Sequence, residues 1–192
     1  MRLFLFSFFA SLFLLPAPAL ADGDQEHSTV YNQLLPGGGV VSEGLGLARR
    51  FGAPEVGTMA ITGIPADAEV VQAYLYWVII AGFDDTVIVT DTDTGLSQEF
   101  IGNHIGTTAD TCWGMGDNHV YRAAVRDIVN HEGTYEVTGF DYTAGVIDNQ
   151  GFSIVVIYRV SSSLETTQVV VNDGAIYGGN GYSPVTSTAT WT

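Results

Sequence analysis

The turn Asp91-Thr-Asp-Thr-Gly95 combines residue types and spacing that could bind a metal ion. It places two carboxylates on alternate residues, which is how calcium-binding loops collect hard oxygen ligands. Glu99 is close enough in sequence to add a third carboxylate, so Asp91, Asp93 and Glu99 form a candidate calcium site. An EF-hand loop has glycine sixth and glutamate twelfth, whereas Gly95 is fifth here and Gly102 is twelfth. The alternative interpretation is an acidic hairpin tip that holds no metal and responds to calcium only through general charge neutralisation.

Three aromatic residues are candidates for stacking against a ligand. Trp113 lies in the segment Asp110-Thr-Cys-Trp-Gly-Met-Gly-Asp117, whose composition predicts a loop in which an exposed indole could stack on a sugar ring. Tyr177 and Tyr182 lie in or beside a glycine-rich stretch near the C-terminus and could complete the platform. The alternative is that Trp113 covers one end of the hydrophobic core.

No catalytic motif is visible in the sequence. Ser153 lies in Gly-Phe-Ser-Ile-Val, which is not the Gly-x-Ser-x-Gly of a nucleophile elbow. The histidines at 104, 119 and 131 are not spaced to meet on one strand or helix, so they are interpreted as surface or loop residues. Acidic residues are plentiful, but they form no recognisable catalytic pair. The sequence therefore predicts no catalytic residues and no cofactor other than possible calcium.

Short runs of valine, isoleucine, threonine and tyrosine, separated by glycine, aspartate and asparagine, indicate β-strands throughout. Both alternating faces of residues 69–80 are apolar, which predicts a central strand. One face would carry Val71, Ala73, Leu75, Trp77 and Ile79, and the other Val70, Tyr74, Tyr76, Val78 and Ile80. Residues 152–160 have the same character and predict a second central strand. The pattern is typical of an all-β protein with very little helix, built as an antiparallel β-sandwich or jelly roll.

Further strands are expected on either side of these two. Residues 86–90 and 96–101 predict a hairpin around the acidic turn, and residues 120–125 predict another strand. Residues 126–131 are expected to close a single helical turn. In the predicted strand 134–138, Tyr135 and Val137 would face inward. The predicted strand 166–171 would end at a turn formed by Asn172-Asp173-Gly174.

The N-terminus has the pattern of a cleavable signal peptide covering residues 1–21. Arg2 precedes an apolar run that is too short to span a bilayer, and Ala19-Leu20-Ala21 supplies small residues at a cleavage site. Residues 22–192 are expected to form a single β-sandwich domain, at the front of a longer protein, with no integral membrane segment after cleavage. Cys112 is the only cysteine, so it is expected to be a buried thiol or to pair outside this chain.

The chain is strongly acidic. Six Lys and Arg residues stand against 21 Asp and Glu residues, giving a formal net charge of −15, and all six cations are arginines. This charge disfavours binding to nucleic acids or anionic membranes and attracts cations.

Four segments carry a resemblance to a known family. They are Gly63-Ile-Pro-Ala-Asp-Ala-Glu-Val-Val-Gln-Ala-Tyr-Leu-Tyr-Trp77, Val120-Tyr-Arg-Ala-Ala-Val-Arg-Asp127, Gly133-Thr-Tyr-Glu-Val-Thr-Gly139 and Ser153-Ile-Val-Val-Ile-Tyr158. The chain resembles a largely uncharacterised secreted bacterial β-sandwich family found near the N-terminus of large cell-surface, adhesin-like proteins. The resemblance implies a secreted or cell-surface location and carries over no catalytic residues.

We therefore expect a non-enzymatic structural or binding module of an exported protein, whose partner is an extracellular protein or a glycan. Function on such a scaffold usually resides in its loops. The alternatives are a carbohydrate-binding module, or an accessory domain of a secreted hydrolase.

The first testable prediction concerns processing. Exported protein should begin at Asp22, because Ala19 and Ala21 present the small side chains that signal peptidase reads. Intact-mass analysis of the secreted chain checks this, and a secreted form that retains Met1 would contradict it.

Overall fold

The structure is a computed structural model that describes residues 25–47, 56–109, 114–143 and 146–175. The described residues form β-strands joined by turns, and none of them is helical. The strands are β1 (Gln25–Pro36), β2 (Gly39–Gly46), β3 (Gly57–Ile61), β4 (Glu69–Ile80), β5 (Thr86–Asp91), β6 (Ser97–Ile101), β7 (Asn103–Thr108), β8 (Asn118–Ala124), β9 (Gly133–Thr138), β10 (Asp148–Arg159) and β11 (Thr166–Ala175).

The strands form two packed sheets and a separate ribbon. One sheet has five strands in the order β2-β10-β4-β8-β7, and the other has four in the order β3-β9-β5-β6. Strands β1 and β11 pair with each other as a two-stranded ribbon, and every pairing is antiparallel. The predicted antiparallel β-sandwich is confirmed, and its eleven described strands exceed the eight of a jelly roll.

Strand β4 occupies the middle of the five-stranded sheet, as its two apolar faces predict. Its inner face contributes Ala73, Leu75, Trp77 and Ile79, each fully buried, to the core between the two sheets. Its outer face carries Tyr74 and packs with Ile157 of β10 against the ribbon. The predicted second central strand, β10, lies beside β4 and begins at Asp148, earlier than expected.

The predicted faces of β4 are wrong at its first residues. Gln72 pairs with Ile157 of β10, but the next residue of β10, Tyr158, pairs with Val70, so β4 carries one extra residue at Val71. A bulge of this kind reverses the alternation of side chains beyond it. As a result, Val70 enters the main core and Val71 packs beneath the ribbon.

The ribbon is held to the five-stranded sheet by apolar contacts and a partly buried ion pair. Leu35 of β1 and Val169 of β11 pack on the outer face of the sheet. The Arg122 guanidinium of β8 donates to the Asp173 carboxylate of β11 and lies 5.6 Å from the centre of the Tyr74 ring. The expected turn at residues 172–174 is wrong, because β11 remains paired with β1 there and continues to Ala175.

Several local predictions agree with the structure. The hairpin of β5 and β6 surrounds the acidic turn, and Tyr135 and Val137 of β9 are fully buried. Between β8 and β9, the Val129 N–H donates to the Val125 carbonyl at 2.8 Å, which closes one helical turn without forming a helix. Within the described ranges, no helix has the length and hydropathy needed to span a membrane.

Trp77 provides the test of this core. Its indole is fully buried, stacks on Tyr121 with 5.5 Å between ring centres, and donates from Nε1 to the Asp84 carbonyl at 3.0 Å. Trp77→Ala should lower the free energy of unfolding by about 3–5 kcal/mol, because it leaves a cavity in the core. Urea unfolding measures this change, with the fully exposed Leu164→Ala as control. A loss of only a few tenths of a kcal/mol would place Trp77 at the surface.

Candidate functional site

The acidic turn after β5 is organised by Asp91 itself. Although the turn is on the surface, the Asp91 residue is only 2% exposed. Its Oδ1 accepts hydrogen bonds from the N–H groups of Asp93, at 2.9 Å, and Thr94, at 3.3 Å, and its Oδ2 accepts from the Thr94 hydroxyl at 2.7 Å. Gly95 follows with φ +75°, a left-handed conformation that favours glycine. Asp91 thus fixes the shape of the turn.

Strand pairing brings a histidine to this carboxylate. Asp91 pairs with Tyr135 of β9, which places the residues just before β9 beside the acidic turn. His131 Nε2 lies 3.6 Å from Asp91 Oδ2. One potential ligand atom from each of Asp91, Asp93 and His131 lies within 4.8 Å of the other two. We call these three residues the Asp91 cluster.

Glu99 does not belong to this cluster. It is an exposed residue of β6 and pairs with Ile88, three residues before Asp91. The predicted calcium set therefore contributes two members to the observed cluster, and His131 takes the place of the third. Sequence spacing could not identify His131, because 40 residues separate it from Asp91 and only the pairing of β5 with β9 joins them.

The pKa of the Asp91 carboxyl is lowered from its ordinary value. Burial raises it, but the hydrogen bonds from Thr94 and Asp93 and the positive potential of nearby His131 together lower it by more. Asp91 is therefore a carboxylate at neutral pH and presents negative charge to the cluster.

A second group of functional side chains lies at the opposite end of the sandwich, where β4 ends. Phe83, Asp85, His104 and Tyr121 line a depression of about 280 Å³, which we call the Phe83 pocket. Phe83 is 73% exposed, whereas Tyr121 is buried and its hydroxyl lies beside the backbone of Asp84. Burial is the largest cause that raises the pKa of Tyr121, so its hydroxyl remains protonated at neutral pH.

Two histidines from neighbouring strands meet beside this pocket. His104 of β7 and His119 of β8 have ring centres 5.5 Å apart, and Thr107 Oγ1 lies 3.4 Å from a ring nitrogen of each. The ring of Phe83 covers His119 at 4.1 Å between centres. The interpretation of His119 as a surface residue is wrong, because it is 8% exposed and faces the end of the core.

The loop that carries Phe83 is held in place by buried Asp84. Its Oδ1 accepts from both the N–H and the hydroxyl of Thr86 at 3.2 Å, and its Oδ2 accepts from the Asp141 N–H at 2.6 Å. At the start of the loop, Ala81 has φ +61° and its N–H donates to the Asp117 carbonyl at 2.8 Å. The exposed Phe83 ring is therefore mounted on an anchored loop.

The predicted aromatic platform cannot be compared with this pocket. Trp113, Tyr177 and Tyr182 lie outside the described residues, as do Cys112 and the signal segment 1–21. The aromatic site that the structure describes is instead built around Phe83 and Tyr121, which the sequence analysis did not select.

The described surface has carboxylates in excess of cations. Each arginine in the described ranges already pairs with a carboxylate: Arg122 with Asp173, and both Arg126 and Arg159 with Glu69. Asp85 and Asp93 remain exposed at the two candidate sites, so both sites favour neutral or cationic ligands.

No protein-family model matches the chain, and neither the curated proteins nor the solved structures contain a match to it.

Acid unfolding tests the role of Asp91. Because its pKa is lower in the folded than in the unfolded state, Asp91 contributes stability that is present above its unfolded pKa of about 3.9 and lost as pH falls through the folded value. The stability difference between the natural chain and Asp91→Asn should therefore shrink between pH 5 and pH 2. Denaturant unfolding across that window measures the difference, with exposed Asp127→Asn as control. A difference that stays constant throughout would contradict the ionised, hydrogen-bonded role of Asp91.

Proposed function

We propose that this domain is a non-enzymatic binding module of an exported, extracellular protein, and that it binds a neutral carbohydrate in the Phe83 pocket. The observation that carries the proposal is the combination, in one depression, of the exposed Phe83 ring with the polar side chains of Asp85 and His104. The ring supplies an apolar surface, and the carboxylate and the imidazole supply polar groups. A sugar ring presents both kinds of surface.

The exposed ring supports a stacking role because it is anchored rather than free. The Asp84 hydrogen bonds hold the loop before any ligand arrives, so binding loses less conformational entropy. Ligand sites are typically apolar and aromatic with a few well-placed polar groups. The depression of about 280 Å³ is the size of a small-ligand site.

The polar groups of the pocket match the hydroxyls of a neutral sugar. The Asp85 carboxylate can accept hydrogen bonds, and His104 can donate or accept them. The net charge of −15 disfavours acidic sugars.

Binding is favoured over hydrolysis by the state of the pocket's acids. Glycoside hydrolases generally use two carboxyl groups on either side of the scissile bond. Here Asp85 lines the pocket, whereas the neighbouring Asp84 carboxylate is buried and engaged by Thr86 and Asp141. The export signal and the family resemblance support placing this module at a cell surface or in the medium.

Two substitutions test the carbohydrate proposal. Phe83→Ala removes the stacking ring, and Asp85→Ala removes an exposed polar side chain of the pocket. Each should weaken binding of a neutral glycan by about tenfold, which corresponds to roughly 1.4 kcal/mol. A glycan array identifies the ligand, and titration calorimetry then measures the affinity.

The controls separate binding from folding. Leu164→Ala removes another exposed apolar side chain, in the loop after β10 at the other end of the sandwich, and should leave affinity unchanged. Asp85→Ala should retain the natural stability, because the Asp85 side chain is exposed. Glycan binding that survives both pocket substitutions, or no glycan binding by the natural chain, would show that the proposal is wrong.

A further inference from the structure

The Asp91 cluster has a histidine whose hydrogen bonds prepare it to bind a cation. His131 Nδ1 lies 2.9 Å from Asn130 Oδ1, and the same amide donates from Nδ2 to the Asp127 carbonyl at 3.4 Å. The second contact orients the amide, so its oxygen faces the imidazole and Nδ1 carries the proton. In the neutral ring, Nε2 then has the free lone pair and lies beside Asp91 Oδ2.

This arrangement is the one that metal-binding histidines use in proteins. Their second ring nitrogen is almost always held by a hydrogen bond to an oxygen, which fixes the tautomer and orients the ring. Asn130 supplies that oxygen here from outside the cluster. The Tyr135 hydroxyl further restrains the segment by donating to the His131 carbonyl at 2.8 Å.

Gly133 leaves space between the ligand atoms. A Cβ at this position would lie 3.0 Å from Asp93 Oδ2 and 3.3 Å from His131 Nε2, so any larger residue would occupy the space that those two atoms border. The backbone there is not left-handed and would accept alanine. The absence of a side chain at Gly133 keeps the space between Asp93 and His131 open.

The donor set indicates the class of ion. Calcium takes six to eight oxygen ligands, whereas this cluster offers two carboxylate oxygens and one imidazole nitrogen. Imidazole combined with carboxylate suits zinc and related divalent transition metals, which can bind through three protein ligands and complete their coordination with water. The sequence-derived set with Glu99 would have offered oxygen alone.

We propose that Asp91, Asp93 and His131 bind one divalent transition-metal ion of the zinc class. The ion joins the β5–β6 turn to the segment before β9, so it stabilises the end of the sandwich opposite the Phe83 pocket. This site is separate from the proposed carbohydrate site and does not depend on it. A protonated His131 paired with Asp91 and holding no metal is the alternative that the experiment must exclude.

The experiment uses the full exported chain after treatment with a chelator. Zinc chloride is titrated against a chromophoric zinc chelator, and thermal unfolding is followed with zinc, calcium or magnesium chloride at equal ionic strength. We expect one zinc ion per chain, a rise in Tm with zinc, and little competition from calcium or magnesium.

Four variants locate the ion. His131→Gln and Asp93→Asn each remove a ligand, and Gly133→Ala fills the space between ligands without removing one. Each should weaken zinc binding at least about tenfold. Glu99→Gln is the matched control: it neutralises a nearby exposed carboxylate and should leave zinc affinity unchanged. Since Asp93 is exposed, Asp93→Asn decides the matter if His131→Gln fails to fold.

Three results would overturn the proposal. Failure of the natural chain to bind zinc at about 100 μM would favour the metal-free ion pair. Zinc binding that is unaffected by His131→Gln, Asp93→Asn and Gly133→Ala would place the ion elsewhere, such as at His104 and His119. Stabilisation by calcium in preference to zinc that is lost in Glu99→Gln would establish the calcium site expected from sequence.

Discussion

The burial of both faces of β4 is the constraint on which the rest of this structure depends. A strand with two apolar faces must be covered on both sides, and its backbone groups must find partners within the sheet because water cannot reach them. Strands β8 and β10 supply those partners, the four-stranded sheet covers one face, and the β1–β11 ribbon covers the other. The ribbon therefore completes the fold by covering apolar surface that a two-sheet sandwich would leave exposed.

Covering the second face also accounts for the polar residues beneath the ribbon. Arg122 points outward from β8 and would be solvated if the sheet were bare, but β11 crosses above it and supplies Asp173. Leaving a partly buried charge without a partner is destabilising, so this pair favours the observed position of the ribbon. Burial is also the largest cause raising the pKa of Tyr76 on the same face, which keeps its hydroxyl protonated.

The two candidate sites lie at opposite ends of the sandwich, because one is built on the loop before β5 and the other on the turn after it. At one end, the loop after β4 brings Phe83 against histidines of β7 and β8. At the other, the turn after β5 meets the segment before β9. Each site combines residues from elements distant in sequence, and each is supported by a buried aspartate, Asp84 or Asp91, that accepts backbone hydrogen bonds. These aspartates are positioning residues of their loops.

The sequence by itself determined the secondary structure class and the central strand, because alternation of apolar residues and turn chemistry are local properties of the chain. It also identified Asp91 and Asp93, which share one turn. Only the tertiary structure decided that Val70 rather than Val71 faces the core, because that depends on a bulge against β10. The same holds for His131 beside Asp91, for His104 beside His119, and for β11 continuing through Asp173. In each case the partners are joined by antiparallel pairing or packing between strands, and the register of such pairing is set by the whole core rather than by neighbours in sequence.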